Sequence, residues 1–350
     1  MAEDSADEII EITTCNPSMP PEWERHERTW MAWPSAAYTL GETPEEATEC
    51  RQAWANTANA IVRFEPVTML VNPGDESIAR SFLDERVQLL TAKLDDAWMR
   101  DIGPTFVRTM TNQIAAVDWI FNGWGGQDWA SYAHDATIAG TVANAVGSEI
   151  LPSTLTNEGG GIHVNGAGSI LLTRTVQLDP GRNPGWSQER VEAELYNMLG
   201  VTDFIWFERG LTRDYDEFGT RGHVDIVACF ADEHTVLFHD QQNPEHPDFA
   251  VSAEVRTRLE ETDFRIIAVP APQVLRDDPS DPESWVDYSY INHYVCNDAV
   301  ILCSFDDPAD ERARAILAEV YPGREIVLVD ARPIFARGGG IHCITQQQPA

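Results

Sequence analysis

Residues 300–329, VILCSFDDPADERARAILAEVYPGREIVLV, decide the fold class. The apolar run at 300–305 predicts a buried strand, and Asp307-Pro308 predicts the cap of the helix that follows it. Pro322-Gly323 predicts the end of that helix, and residues 326–329 predict a second strand. A strand, a helix and a returning strand in such close succession are typical of an α/β fold.

The same return from a helix to a strand recurs four times earlier in the chain. A capping box at residues 43–46 marks the first helix, which we expect to end near Arg63 before a strand at 67–71. The other three helices are expected at 136–146, around 191–199 and from 252, with strands near 150, at 203–207 and at 264–269. A shorter helix and strand at 75–90 leave the number of modules open.

The chain shows no sign of internal division. No Gly/Ser linker, charge block or low-complexity stretch separates one part from another. We therefore expect one domain over residues 1–350, built from repeated modules, in which residues 1–18 form a flexible acidic tail.

The charge of the chain is strongly acidic. Its 24 basic and 57 acidic residues give a formal net charge of −33, and Lys93 is the only lysine. Such a charge repels nucleic acid and anionic membranes and attracts small cations. No segment approaches the length of apolar run that a bilayer span needs. We expect neither nucleic acid nor a membrane as a partner.

The cysteines and the first residues indicate the compartment. Six cysteines occur without a CxxC pair or a dense framework, so we expect reduced thiols. The acidic start lacks the basic residues and apolar run of a signal peptide. We therefore expect a cytoplasmic protein, and a homo-oligomer, either a dimer or a tetramer.

A glycine-rich loop near the end of the chain carries the candidate nucleophile. Cys343 follows Gly338, Gly339 and Gly340 within residues 337–348. Glycines let the backbone approach a ligand with no Cβ in the way, so Gly340 is a candidate substrate contact. A cysteine on such a loop is a candidate nucleophile. Taken alone, it could equally be a small buried hydrophobic residue.

Other loops supply a histidine and carboxylates. Asp101 lies in an Asp- and Trp-rich loop, and Glu158 precedes a second glycine triplet. His223 and Asp225 would share a face if their backbone were extended. Carboxylates beside a thiol oppose formation of its thiolate, unless a cationic substrate offsets them. A planar guanidinium suits two carboxylates, because it pairs with them by charge-assisted hydrogen bonds. We therefore expect a small cationic guanidino substrate.

A metal site is the main alternative from residue types. Binuclear hydrolases of guanidino compounds need Asp and His at short spacing, such as Asp-x-His-x-Asp. Here His134-Asp135 and His239-Asp240 are isolated pairs. We expect no metal and no cofactor.

Five segments resemble those of the agmatine deiminase family, a branch of the guanidino-modifying superfamily. In chain order they are residues 30–34 (WMAWP), 96–104 (DAWMRDIGP), 158–163 (EGGGIH), 222–225 (GHVD) and 340–347 (GIHCITQQ). They follow the family's order from near residue 19 to the C-terminus. The resemblance implies a pentein-type fold, a five-bladed α/β propeller of ββαβ modules around a substrate tunnel.

The resemblance also implies roles for individual residues. Cys343 corresponds to the nucleophile and His223 to the general acid and base. The guanidinium-binding carboxylates would be Asp101 and Asp225. The resemblance also implies two substrate-binding residues. They are Glu158, a carboxylate that supports the histidine as well, and Trp98, an aromatic side chain that packs on the substrate.

The implied reaction is hydrolysis of agmatine to N-carbamoylputrescine and ammonia, through a covalent amidino-cysteine, in polyamine and arginine metabolism. Three positions depart from the family pattern, namely Arg221 in place of an acid, Ile226 in place of Asn and Gln127 in place of Lys. In an extended backbone, Arg221 would share a face with His223 and Asp225 and could reach the site.

Two alternatives remain open at this point. The same chemistry could act on arginine, a methylated arginine or a peptidyl arginine. A non-catalytic polyamine-binding protein could use the same acidic tunnel, although a binder needs no nucleophile.

Overall fold

A computed structural model describes residues 17–350 of the chain. Most of the expected acidic tail, with Cys15, therefore lies outside the described residues. Of that segment the structure describes Pro17 and Ser18, and the N–H of Ser18 donates to the carbonyl of Arg108 at 2.9 Å.

The strands of residues 17–350 are β1 (His26–Ala32), β2 (Val67–Val71), β3 (Gln88–Thr91), β4 (Thr105–Arg108), β5 (Ile114–Ile120), β6 (Glu149–Thr156), β7 (Ile162–Val164), β8 (Ser169–Thr173), β9 (Asp203–Phe207), β10 (Ala228–Asp232), β11 (Thr235–Asp240), β12 (Arg265–Pro270), β13 (Tyr294–Cys296), β14 (Ala299–Ser304), β15 (Glu325–Asp330) and β16 (Gln346–Pro349).

The helices are α1 (Ala37–Leu40), α2 (Pro44–Ile61), α3 (Glu76–Phe82), α4 (Met99–Ile102), α5 (Gly123–Gly126), α6 (Ile138–Val146), α7 (Arg174–Gln177), α8 (Gln188–Leu199), α9 (Asp248–Glu260), α10 (Asp310–Val320) and α11 (Arg332–Phe335). Short 3₁₀ helices span Asp135–Thr137, Gly159–Gly161, Thr212–Tyr215 and Val224–Ile226. In residues 17–350, none of these helices combines the length and apolarity needed to cross a bilayer.

The strands of the described chain form five small mixed sheets with one shared plan. Four have the orders β4-β5-β6, β7-β8-β9, β10-β11-β12 and β13-β14-β15, and the fifth is β16-β1-β2-β3. In each sheet the first two strands are antiparallel, and the third is parallel to the second. A helix precedes the third strand, since parallel neighbours need a crossover connection. The expected returns from helix to strand are therefore confirmed as an α/β fold.

The sheets are joined in series by helix packing. Helix α8 contacts β6, α9 contacts β9 and α10 contacts β12, so each of these helices contacts the last strand of the preceding sheet. Helix α2 contacts β15 in the same way and so links the β16-β1-β2-β3 sheet to the β13-β14-β15 sheet. The chain's first and last strands, β1 and β16, pair with each other.

The local signals for several helix ends are confirmed. Thr43 and Glu46 form the predicted capping box of α2, and Pro44 is its first residue. Gly200 ends α8 in the left-handed conformation, with φ of 70°. The strands predicted at 67–71 and 203–207 have those bounds.

Two predicted helix starts are wrong. Helix α9 begins at Asp248 after Pro247, four residues before the expected start at Ser252. Helix α10 begins at Asp310, because Asp307 does not cap it. The Oδ1 atom of Asp307 instead accepts the N–H of Ala309 in the turn before the helix, at 2.8 Å.

The core of each unit lies between a helix and its sheet. Helix α2 buries Trp54 and Ile61, and the central strand β1 buries Trp30 and Met31. Burial of each such large side chain contributes about 1.5–3 kcal/mol to folding. The rigid sheets therefore provide fixed ends from which the connecting loops project.

Candidate active site

The segment before the first strand of each sheet contributes to one buried polar cluster. The contributing residues, in chain order, are Asp101 before β4, Glu158 before β7, His223 and Asp225 before β10, Asn292 before β13 and Cys343 before β16. Every side chain in this set is at most 5% exposed. The structure thus brings together the five predicted polar residues and adds Asn292.

His223 is held by two carboxylates on opposite sides of its ring. Its Nε2 atom lies 3.2 Å from Oε2 of Glu158, and its Nδ1 atom lies 3.9 Å from Oδ1 of Asp101. Burial lowers the pKa of His223, but Asp101 and Glu158 outweigh it and raise that pKa to about 9. Nδ1 has no hydrogen-bond partner among the described residues, so it is free to meet a substrate.

Glu158 is fully buried behind His223. Both of its oxygens lie 3.0 Å from Nε of Arg182, whose side chain is also buried. Burial opposes ionisation of Glu158, but the Arg182 charge and the His223 contact keep its pKa below the ordinary value. Glu158 therefore fits the predicted support of His223 better than a direct contact with substrate.

Asp101 accepts hydrogen bonds at both carboxylate oxygens. Oδ2 accepts Nε1–H of Trp124 at 2.9 Å, and Oδ1 accepts the N–H of Gly160 at 3.1 Å. Burial raises the pKa of Asp101 to about 6, although the nearby His223 charge lowers it. A Cβ at Gly160 would lie 2.5 Å from Nδ1 of His223, so only glycine leaves this contact open.

Asp225 is held by His342, the residue before the candidate nucleophile. Nδ1 of His342 lies 2.7 Å from Oδ2 of Asp225, while Nε2 of His342 lies 2.9 Å from Oε2 of Glu22. Burial opposes ionisation of Asp225, but the bond from His342 lowers its pKa. Oδ1 of Asp225 has no partner among the described residues and is therefore available for a cation.

Cys343 lies beside Asp225 and Asn292. Its Sγ atom is 3.5 Å from Oδ2 of Asp225 and 3.3 Å from Nδ2 of Asn292. Burial raises the pKa of this thiol well above its ordinary value, and the Asp225 and Asp101 charges raise it further. Without a cation in the site, the thiol is protonated at neutral pH.

Glycines of the C-terminal loop allow close packing around the thiol. A Cβ at Gly339 would lie 2.7 Å from the Trp98 ring and 3.1 Å from Sγ of Cys343. A Cβ at Gly340 would lie 2.4 Å from Oδ1 of Asn292. Gly340, the predicted substrate contact, therefore makes room for the Asn292 side chain.

A small cavity of about 10 Å³ lies beside Sγ of Cys343, with room for roughly one water molecule. Half of its lining residues are aromatic, and the full set is Tyr38, Trp98, Asp101, Trp124, Phe218, Thr220, Gly338 and Cys343. The Tyr38 and Phe218 rings stack with centroids 4.3 Å apart, and Nε1–H of Trp98 donates to the Tyr38 hydroxyl at 3.1 Å. Trp98 thus lies where an aromatic packing residue was expected.

The prediction that Arg221 shares an extended face with His223 and Asp225 is wrong. Arg221 has a φ of 68°, and residues Val224–Ile226 form a 3₁₀ helix. The strand β10 that follows begins at Ala228. Nη1 of Arg221 lies 3.6 Å from Oδ2 of Asp179, and its side chain is 41% exposed.

The other two departures from the family pattern also lie outside the cavity lining. Nε2 of Gln127 donates to the carbonyl of Gly219 at 2.7 Å. Ile226 is buried in the hydrophobic core. Both positions hold neighbouring segments together.

A cluster that the sequence did not reveal brings Glu22, His163 and His342 together. Their ligand-type atoms lie within 4.8 Å of one another. Nδ1 of His163 accepts the N–H of Phe230, so its proton sits on Nε2 and that nitrogen is no metal ligand. Nη2 of Arg100 lies 3.6 Å from Oε2 of Glu22 and repels a second cation. The cluster fits a buried ion-pair network better than a metal.

Several residues of the site carry no local sequence signal. Asn292, Arg182 and Glu22 lie in loops that contain no glycine triplet and none of the five segments that resemble the family. What these residues have in common, a position next to the site, becomes visible only in the folded structure. The one available clue for Asn292 is its position before the first strand of its unit, which the other site residues share.

The cluster has the parts that a covalent hydrolysis of a guanidinium needs. Asp101 and Asp225 offer carboxylates to a planar cation, and Cys343 offers a sulfur beside it. His223 offers a buried nitrogen that can give and take a proton.

Comparison with known proteins extends this picture to the whole chain. The chain matches the Porphyromonas-type peptidyl-arginine deiminase family over residues 18–349. A Streptomyces coelicolor protein that carries the provisional name agmatine deiminase is 55% identical over 337 residues, covering 95% of this chain and 98% of that protein. The agmatine deiminase of Pseudomonas putida is 36% identical over 359 residues, covering 95% of each chain.

The solved structures agree with the sequences. An agmatine deiminase of Enterococcus faecalis matches this fold with a TM-score of 0.88 at 28% sequence identity. The match covers 95% of this chain and 96% of that one.

Proposed function

The chain belongs to the agmatine deiminase family, and we propose that it hydrolyses the guanidinium group of agmatine to a ureido group with release of ammonia. The product is then N-carbamoylputrescine, an intermediate between agmatine and putrescine. The observation that carries the proposal is the buried thiol of Cys343 beside two carboxylates, with Oδ1 of Asp225 and Nδ1 of His223 left without partners among residues 17–350.

Substrate binding comes first in the proposed mechanism. Asp101 and Asp225 accept hydrogen bonds from the guanidinium and hold its central carbon against Sγ of Cys343. Charge-assisted pairing of this kind fixes both position and orientation. Trp98 packs on the planar group from the cavity wall.

The bound cation also prepares the nucleophile. Asp225 and Asp101 raise the pKa of the Cys343 thiol while the site is empty. A guanidinium between these carboxylates offsets their charge, and the thiol then loses its proton more easily. The substrate thus activates the group that attacks it.

The first chemical step forms a covalent intermediate. The thiol of Cys343 gives its proton to solvent water, its sulfur bonds to the guanidinium carbon, and the C–N bond to one terminal nitrogen breaks. His223 gives its proton to that nitrogen, which leaves as ammonia. Since Asp101 and Glu158 keep the pKa of His223 high, the ring is protonated before this step.

The second step releases the product. Water takes the place of ammonia, and His223, now neutral, removes a proton from it. The water oxygen bonds to the amidino carbon, the C–S bond breaks, and the ureido product leaves with the thiol restored. Two easier displacements thus replace one difficult one.

The geometry disfavours the alternative substrates to different degrees. From the sequence, Arg221 is the cation that could bind the α-carboxylate of free arginine. In the structure, its side chain pairs with Asp179 instead. A polyamine binder would have no use for the thiol.

A substrate panel tests the proposal directly. Ammonia release is measured with agmatine, free arginine, a methylated arginine and a blocked arginine at equal concentrations. We expect agmatine to give the highest kcat/KM. A quenched turnover mixture should also contain the Cys343 peptide with the mass of an amidino adduct. Higher kcat/KM for another guanidino compound would reassign the substrate, and absence of turnover with all four would overturn the enzyme function.

We also propose that the five sheets are the blades of a closed five-bladed propeller within one domain. The support is the contacts of α8, α9 and α10 with the preceding sheet, together with that of α2 with β15. The converging segments before β4, β7, β10, β13 and β16 would then surround the propeller axis.

We further propose that the enzyme works in the cytoplasm. The five cysteines within residues 17–350 are all free thiols, as a reducing compartment would keep them.

A further inference from the structure

Asn292 is fully buried in the segment before β13 and faces the candidate nucleophile. Its Oδ1 atom accepts the N–H of His342 at 3.0 Å. A backbone N–H can only donate, so this bond fixes which end of the amide is the oxygen. Nδ2 is therefore the other terminal atom, 3.3 Å from Sγ of Cys343 and 3.3 Å from the carbonyl oxygen of Asp225, while Oδ1 itself lies 3.5 Å from Sγ.

We propose that Asn292 is a further catalytic residue, whose Nδ2–H donates a hydrogen bond to the sulfur of Cys343 and stabilises the thiolate that attacks the substrate. This inference rests on the covalent mechanism of the proposed function. With Asn292, the segment before β13 contributes a catalytic side chain, as we propose for the segments before the first strands of the other four sheets.

The need for such a donor follows from the charges around the thiol. Asp225 and Asp101 are the titratable groups that face Cys343 most closely, and both oppose a negative sulfur. Arg100 is near, but its guanidinium contacts other groups. Its Nε donates to the carbonyl of His342, its Nη1 donates to Gln347, and its Nη2 lies 3.6 Å from Oε2 of Glu22.

An uncharged donor also suits the substrate. A lysine or arginine beside the sulfur would stabilise a thiolate, but it would repel the incoming guanidinium and compete for the same carboxylates. The amide of Asn292 stabilises the sulfur without either effect. Hydrogen-bond donors that are already positioned where negative charge develops in the transition state are among the largest contributions to the rate enhancement of enzymes.

The surrounding packing holds Asn292 in place. The Sγ–H of Cys303 donates to the Asn292 carbonyl at 3.1 Å. Any Cβ at Gly340 would overlap its Oδ1 atom, since the distance would be 2.4 Å. The glycine before Ile341 thus leaves room for the amide beside the thiol.

Alkylation of the free enzyme tests the donor without any turnover. The rate at which iodoacetamide modifies Cys343 is followed by peptide mass spectrometry between pH 7 and pH 10, in wild type and in Asn292→Asp. The substituted carboxylate can still accept from the His342 N–H, but it presents an acceptor to the sulfur. We expect the rate to fall about tenfold or more at each pH, which corresponds to at least one unit of thiol pKa.

Asn165→Asp is the matched control. Asn165 is 2% exposed, its Oδ1 accepts backbone N–H groups of Ala167 and Ser169, and its Nδ2 donates to the carbonyl of Glu233. The same amide-to-acid change there should lower the melting temperature and leave the alkylation rate as in wild type. Equal alkylation rates in Asn292→Asp and wild type would overturn the proposal and leave Asn292 with a packing role.

Asn292→Ala gives a second test without a buried charge. We expect kcat for agmatine to fall about a hundredfold, as when one fixed donor is removed from an active site, with KM changed only a few-fold. A folded Asn292→Ala enzyme with a kcat within threefold of wild type would refute the catalytic role. Failure of wild type to act on agmatine would instead count against the proposed substrate, and the alkylation result would still decide the role of Asn292.

Discussion

Nδ1 of His342 lies 2.7 Å from Oδ2 of Asp225, so the residue next to the nucleophile orients a carboxylate of the site. The other ring nitrogen of His342 meets Glu22 at 2.9 Å. Burial and Arg100 lower the pKa of His342, but these two carboxylates outweigh them and raise it. The His342 ring thus contacts one oxygen of Asp225, and the other oxygen, Oδ1, has no partner among residues 17–350.

The two carboxylates that we propose bind the guanidinium should each be essential for activity. Asp101→Asn and Asp225→Asn remove the charge that pairs with the cation, and we expect kcat/KM for agmatine to fall at least about a hundredfold. Steady-state ammonia release measures the effect. Asp118→Asn, a partly exposed carboxylate on β5, is the control and should stay near wild type. A loss of only a few-fold at Asp101 or Asp225 would reduce that residue to a structural role.

Removal of the thiol should separate binding from chemistry. Cys343→Ala keeps both carboxylates, so calorimetry should still detect agmatine binding while ammonia release disappears. Cys229→Ala is the control, because Cys229 is buried in β10 and its loss should lower stability more than activity. Appreciable turnover by Cys343→Ala would exclude the covalent mechanism.

The unfolding free energy should depend on pH through His223. Its folded pKa of about 9 exceeds the ordinary 6.5, so the proton binds more tightly to the folded state. The resulting stabilisation is complete below about pH 6.5 and is lost as the pH rises towards 9. Urea unfolding at pH 6.5, 7.5 and 9 should show a steeper decline in wild type than in His223→Gln. The exposed His234→Gln is the control, and equal slopes in His223→Gln and wild type would contradict the assignment.

Salt should stabilise the fold. At a formal net charge of −33, the acidic side chains of the folded protein repel one another. Added ions screen this repulsion and shorten its range. We expect the melting temperature to rise between dilute buffer and molar potassium chloride. Surface pairs such as Arg209 with Glu254 would weaken under the same conditions. A flat or falling curve would mean that such pairs already compensate the acids.

Arg221 should have little influence on substrate choice. Its contact with Asp179 and its exposure place it away from the cavity lining. We expect wild type to favour agmatine over arginine by about a hundredfold in kcat/KM, or ~2.7 kcal/mol. Arg221→Gln should leave that ratio nearly unchanged. A wild type that prefers arginine, with a variant that shifts towards agmatine, would make Arg221 the specificity residue.

The sequence predicts best where the physical signal is local. The capping box at Thr43 and the left-handed Gly200 fix helix ends through neighbouring residues alone. The roles inferred for Cys343 and His223 came from short motifs, and the structure places both side chains in one cluster.

What the sequence could not show depends on contacts between distant segments. Asn292 meets Cys343 across 51 residues and Glu22 meets His342 across 320, and neither pair has a local pattern. The extended face expected for Arg221 failed for a related reason. The carboxylate of Asp214 accepts the N–H groups of Gly222 and His223 and holds this segment in a tight turn.

The stacked Tyr38 and Phe218 rings lie in the wall of a space beside Sγ that holds about one water molecule. We expect these side chains to shift when a guanidino substrate binds and again when the product leaves. If that movement is slow, the separation of the rings limits kcat rather than the breaking of bonds. The proposed covalent intermediate, enclosed by the same rings, would then meet few water molecules besides the one that hydrolyses it.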